Sequence, residues 1–212
     1  HEHPERVMRL LFNDDDYWKN HLNANKLYEV LFKQASNVQS TELRNSMSLY
    51  DLFTDDEIYD LWQINNAWWY INYGACPLNG GNQPYSQRNL LRKIISDADS
   101  CIALPHPGVT LRYGHDTMVM PLTCLMDLDE MGMQVSDLEQ LAYKGWNNYR
   151  IFPMACNIQF VFYHKKGSKD ILVKVLRNEN EATLPIKTDI APYYHWKDVR
   201  QFYLDKINKF TE

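Results

Sequence analysis

One extended apolar run, Val109-Thr-Leu-Arg-Tyr-Gly114, interrupts a chain that otherwise reads as helix through its first hundred residues. The pattern predicts a buried strand ending at Gly114, a tight turn carrying His115 and Asp116, and a helix over the apolar run Met118 to Leu128. A buried parallel strand needs hydrogen-bonding neighbours, and the sequence offers no second run that could pair with it in that way. Either its partner strands come from outside these 212 residues, or the strand reading fails.

The turn is where chemistry would sit. The first N–H groups of a helix lack partners and its dipole is positive at that end, so a histidine placed there sits where an anion is welcome. One reading makes His115 a hydrogen-bond donor to a bound phosphate and Asp116 a general acid to the leaving oxygen. A positioned proton donor matters when the leaving group is an alkoxide. The plainer reading makes Asp116 a helix cap and His115 a turn residue. The dipeptide alone leaves both open.

Upstream, residues 4–37 have helical periodicity. Pro4 suits a first turn, and Asp14-Asp-Asp16 precedes a second helix expected to continue through Leu27, Val30, Leu31 and Ala35. These three acids could form a cation site, but acids at a helix start commonly serve the dipole. Thr54-Asp-Asp-Glu57 is a capping box opening a long helix to Gly74, and Gln87 to Ala98 is another amphipathic helix. Between them Asn79-Gly-Gly-Asn82 is glycine-rich, but no Lys-Ser/Thr follows, so it is no phosphate-cradling loop. Trp62, Trp68, Trp69, Tyr70 and Tyr73 recur at helical spacing and are expected to pack rather than stack on a ligand.

Downstream, Ser136-Asp-Leu-Glu139 is a second capping box, for a short helix toward Tyr143. Asn157–Tyr163 and Ile171–Leu176 read as a hairpin around the basic turn 165–170, with Ala182–Ile186 as a short third strand. Trp196 to Phe210 closes the chain as an amphipathic helix. Arg112, inside an apolar run, must find a partner, either a substrate or a carboxylate.

The formal net charge of −5 and the absence of a basic stripe argue against nucleic acid as a partner. No apolar run approaches membrane-spanning length. Cys76, Cys101, Cys124 and Cys156 have no metal-binding spacing, so zinc is not expected. They could pair in an oxidising compartment or stand as buried thiols.

Arg112-Tyr-Gly-His-Asp-Thr117, with Pro121-Leu122 following, resembles the His-Asp motif of the histidine acid phosphatases (histidine phosphatase branch 2), which include phytases. A second block narrows the likeness. Pro153-Met-Ala-Cys-Asn-Ile-Gln-Phe-Val-Phe-Tyr-His164, then Val173-Lys-Val-Leu-Arg-Asn-Glu179 and Leu184-Pro-Ile186, look like the multiple inositol polyphosphate phosphatases. The resemblance is specific over about residues 108–200 and loose over the helical first hundred.

The resemblance implies an α/β fold: part of a phosphoglycerate-mutase-like α/β sandwich with a mostly helical cap domain. Residues 1–100 would supply cap and return helix, and residues 101–212 the C-terminal part of the phosphatase domain. It implies that His115 and Asp116 are catalytic, that His115 and Thr117 contact substrate, and that phosphomonoesters such as inositol phosphates are hydrolysed through a phosphohistidine with no metal or other cofactor needed. Such proteins are periplasmic or secreted. Two departures stand out. That branch usually carries His-Ala-Glu where this chain has His-Asp-Thr, and the nucleophile motif Arg-His-Gly is absent. His1, His3, His21, His106, His164 and His195 all lack its context. With a start at His1-Glu-His-Pro and no initiator Met, the chain is expected to be the later half of a longer enzyme, inactive alone, with its missing N-terminal part as partner. The rival expectation is a non-catalytic phosphate-binding or interaction module of phosphatase-like fold.

Overall fold

Asp14 and Asn23 decide where the early helices begin. In the computed structural model, which describes residues 1–210, Glu5–Leu11 (α1), Asp15–His21 (α2) and Ala24–Val38 (α3) are separate helices. The Asp14 carboxylate accepts the N–H groups of Asp16 at 2.9 Å and Tyr17 at 3.0 Å, so this acid is a cap. The periodicity reads α2 and α3 as one helix. The Asn23 side chain instead accepts the Lys26 N–H at 3.0 Å and starts a new one. Thr54 and Glu57 form the expected capping box, with the Thr54 N–H 2.8 Å from Glu57 Oε2 and the Glu57 N–H 3.3 Å from Thr54 Oγ1. It opens Asp55–Tyr73 (α4).

The backbone divides into two units, His1–Ala67 and Trp68 onward. The first is helical, with Val7, Met8, Trp18, Tyr28 and Leu61 buried at its centre. The second contains the remaining α4 residues, Arg88–Ile102 (α5), Asp116–Met126 (α6), Asn148–Ile151 (α7) and Trp196–Lys209 (α8). Its antiparallel sheet is built on the hairpin Ile158–His164 (β1) and Ile171–Arg177 (β2), in register from Ile158 opposite Arg177 to His164 opposite Ile171. Asn180–Glu181 (β3) and Tyr194–His195 (β4) both pair with β2.

Two apolar clusters meet along α6. Leu122, Leu125 and Met126 join Val173, Val175, Leu91, Val199 and Tyr203. Met120 and Cys124 join Tyr70, Trp146 and Ile151. Seven successive residues of α6, Met120 through Met126, are therefore buried, which fixes the helix while its first turn stays outside. Polar contacts lock the surrounding elements. The Tyr203 hydroxyl donates to the Met126 carbonyl at 2.8 Å. Asp99 on α5 accepts from Trp196 Nε1 at 2.9 Å and Arg200 Nε at 2.7 Å on α8. Of the aromatic set, Trp69, Tyr70 and Tyr73 pack as their spacing predicts, with Tyr70 fully buried against Trp146, whereas Trp68 is half exposed and meets Trp69 and Tyr73 edge-on.

Residues 109–114 have no ladder partner among the described residues, and Val109, Leu111 and Tyr113 are 82%, 70% and 92% exposed, as a strand whose partners lie outside these residues would be. Two local expectations need correction. The third strand is Asn180–Glu181, not 182–186, because the left-handed pair Asn178 and Glu179 turns the chain back at once. Ala182 and Leu184 are apolar because they enter the core. The second capping box yields only a single 3-10 turn, Leu138–Gln140, and its cap is Asp137, which accepts the Glu139 N–H at 3.1 Å.

Candidate functional site

Helix α6 begins where the sequence places it. His115 holds the cap position in extended backbone (φ −121°, ψ 166°), and its carbonyl accepts the first helical N–H groups, from Met118 at 2.9 Å and Val119 at 3.2 Å. Its imidazole makes no cap hydrogen bond and is exposed. Asp116, also exposed, accepts the Thr117 N–H at 2.7 Å, and Thr117 is half-buried beside it. The three predicted site residues therefore share one helix start. A buried helix holds its first turn open, presenting an imidazole and a carboxylate together at the positive end of its dipole. Pro121, inside α6, has no N–H to offer the Thr117 carbonyl.

The neighbouring loop supplies a residue that the motif reading did not single out. Cys156, half-buried just before β1, lies within electrostatic reach of Asp116, and burial together with that carboxylate raises its thiol above the ordinary value. Nothing local in the sequence links positions 116 and 156. All four cysteines are free, and burial pushes the Cys124 thiol up to about 12.

Arg112 answers the question left open by its position. Its guanidinium pairs with the Asp97 carboxylate on α5, whose other oxygen accepts from Lys93 Nζ at 2.6 Å. Among the remaining histidines, His164 meets the Ser168 carbonyl at 3.0 Å in the hairpin turn, and His106 meets the Pro107 carbonyl at 3.0 Å. Among the described residues no three His, Cys, Asp or Glu side chains are grouped to hold a metal ion, and no helix is long and apolar enough to cross a membrane.

His195 stands apart. Nδ1 lies 2.8 Å from Asp170 and Nε2 lies 3.2 Å from Asp189. Ionised carboxylates only accept, so both ring nitrogens must donate, which requires the imidazolium. Hydrogen bonds to Asp189 and Asp170 accordingly raise its pKa above 6.5. A raised folded-state pKa stabilises fully below the unfolded value, and that contribution is lost as pH rises through the folded value. Warming scans between about pH 6 and pH 9 should therefore show wild-type protein losing more melting temperature than His195→Gln. Equal slopes would exclude a charged clasp.

No family model matches the chain. Multiple inositol polyphosphate phosphatase 1 of Gallus gallus is 26% identical over 198 residues, which cover 85% of this chain and 43% of that protein. The Bifidobacterium longum multiple inositol polyphosphate phosphatase in complex with inositol hexasulfate superposes with a TM-score of 0.70 at 20% identity, over 85% of this chain and 38% of that one. Its complex with phosphate gives 0.67 at 20% identity, over 85% and 39%. The chain thus spans less than half the length of the proteins it matches. Its relatives are multiple inositol polyphosphate phosphatases, the group its motifs resemble, and its fold is the α/β fold, with helical regions, of a part of such a protein.

Proposed function

We propose that this chain is the portion of a histidine acid phosphatase, of the inositol polyphosphate or phytase type, that binds the scissile phosphate and protonates the leaving group. The observation that carries the reading is the exposed His115–Asp116 pair at the start of a helix whose following turns are buried. Likeness to proteins named as inositol polyphosphate phosphatases supports the substrate class.

In this mechanism the phosphate oxygens accept from His115 at the positive end of the α6 dipole. A histidine supplied by a part of the protein outside these residues attacks phosphorus. The N–P bond forms as the ester P–O bond breaks, and Asp116 delivers its proton to the departing alkoxide. Water then attacks the phosphohistidine, Asp116 takes up its proton, and orthophosphate leaves. By the same likeness the protein works in the periplasm or outside the cell.

The test compares phosphate release from phytate and from an aryl phosphate by this chain and by the longer protein of the proposal. Orthophosphate binding is measured alongside. Turnover by the longer protein only, with orthophosphate binding by both, is the expected result. Turnover by the isolated chain would place the nucleophile within it and overturn the mechanism. Binding with no turnover in either would favour the non-catalytic module.

A further inference from the structure

Two segments far apart in the chain, Pro153-Met-Ala-Cys-Asn157 and Asn178-Glu179, close on each other where the hairpin meets α7. Both bend through left-handed backbone, with φ of 60° at Ala155, 51° at Asn178 and 62° at Glu179. Residues other than glycine hold that conformation only where their surroundings over-determine it, and such residues gather at functional sites.

Asn178 supplies most of the constraint. Its N–H donates to the Asn157 carbonyl at 3.0 Å, and its side-chain oxygen accepts the Asn157 N–H at 3.1 Å. Its Nδ2 donates to the carbonyls of Arg150 at 3.3 Å and Ile151 at 3.2 Å, the last two residues of α7. Carbonyls at a helix end need such donors. Asn157 in turn donates from Nδ2 to the Ala155 carbonyl at 3.2 Å and to Glu179 Oε1 at 2.6 Å. The Cys156 N–H donates to the Pro153 carbonyl at 3.0 Å. The turn 153–156 thus has α7 at one end and β1 at the other, and one amide grips both.

One stripe of α6 decides what this turn faces. Positions 116, 120 and 124 lie four apart and share a helix face. Met120 and Cys124 are buried in one cluster with Ile151, and Phe152 packs against it. Asp116 continues the stripe, and four residues beyond Phe152 the chain brings Cys156 within its electrostatic reach. We propose that Asn178 is a positioning residue for the candidate site: by joining the entrance of β1 to the end of α7, it sets the turn 153–156, and Cys156 with it, beside Asp116. The proposal rests on the functional reading above for what the turn serves, not for the bridge. Asparagine suits the position, because it tolerates left-handed backbone and offers an acceptor and donors on one short side chain.

The test uses the Cys156 thiol as its probe. The full 212-residue chain is alkylated with iodoacetamide at pH 8, and the adduct at Cys156 is followed by the mass of its peptide. The thiolate is the reacting form, so Asp116→Asn should speed the reaction roughly threefold, the worth of one nearby solvent-screened charge. In Asn178→Gly, which keeps the left-handed turn, and in Asn178→Asp, which keeps the Asn157 bond but loses both donors to α7, the added Asp116→Asn should change the rate by less than about 1.5-fold. Asn180→Ala removes a neighbouring bond, Asn180 Nδ2 to the Asn178 carbonyl at 2.8 Å, and should leave the threefold response intact. In the active phosphatase Asn178→Asp should lower kcat on phytate about tenfold or more, and Asn180→Ala should not. A response that survives in both Asn178 variants, is missing in wild type, or is lost equally in Asn180→Ala overturns the bridge. An unchanged kcat in Asn178→Asp overturns its role at the site. If the longer protein proves inactive, the functional reading fails, and the alkylation rates still decide the bridge.

Discussion

Asp116→Asn in the active phosphatase is expected to lower kcat on phytate by about 10²–10⁴-fold, the usual worth of a positioned general acid. The substitution keeps the local structure, because an Asn side-chain oxygen can still accept the Thr117 N–H that Asp116 accepts at 2.7 Å. What disappears is a proton for the leaving oxygen. An inositol alkoxide departs poorly without one, whereas a nitrophenolate departs readily unprotonated. The loss on p-nitrophenyl phosphate should therefore be small, and the ratio of the two losses is the measurement to make. Equal losses on both substrates would mean that Asp116 shapes or charges the site without donating a proton. Thermal melts supply the control: removing one acid from a helix's first turn costs about 0.3–1 kcal/mol.

Trp146→Ala should have the largest effect on stability, about 3–5 kcal/mol. The ring is fully buried and meets Tyr70 edge-on at a centroid distance of 5.0 Å and an angle of 66°. Met120 and Cys124 of α6 belong to the same cluster, so the void would open beside the helix that carries the candidate site. For a domain of this size the melting temperature should fall on the order of 10 °C. Trp68→Ala is the natural comparison, because half of that side chain's surface already meets solvent. It should cost much less, as most exposed substitutions do. Similar losses for the two tryptophans would show that the Trp146 cluster is not a packed core.

Most helices and the hairpin were legible because their signals act over a few residues. Thr54 and Glu57 reach each other within one turn, and the strands of β1 and β2 are joined by a short basic turn. The start of α6 belongs to the same class, which is why His115, Asp116 and Thr117 could be found before any coordinates. Residues 109–114 mark the limit. An apolar run states that a segment could be a strand, but a strand exists only when another backbone accepts and donates along it. Among the described residues none does so, and the run lies exposed along α5 instead. The same limit hid the Arg112–Asp97 pair, the reach of Cys156 toward Asp116, and the clasp of His195 by Asp170 and Asp189.

By itself, then, the sequence determined most of the helices, the hairpin and an imidazole–carboxylate pair at a helix start, since capping and side-chain period act within a turn or two. Only the tertiary structure decided which segments pair, which apolar residues stay outside, and which carboxylate holds Arg112. Those outcomes depend on groups far apart in the chain, brought together only when the rest of it folds.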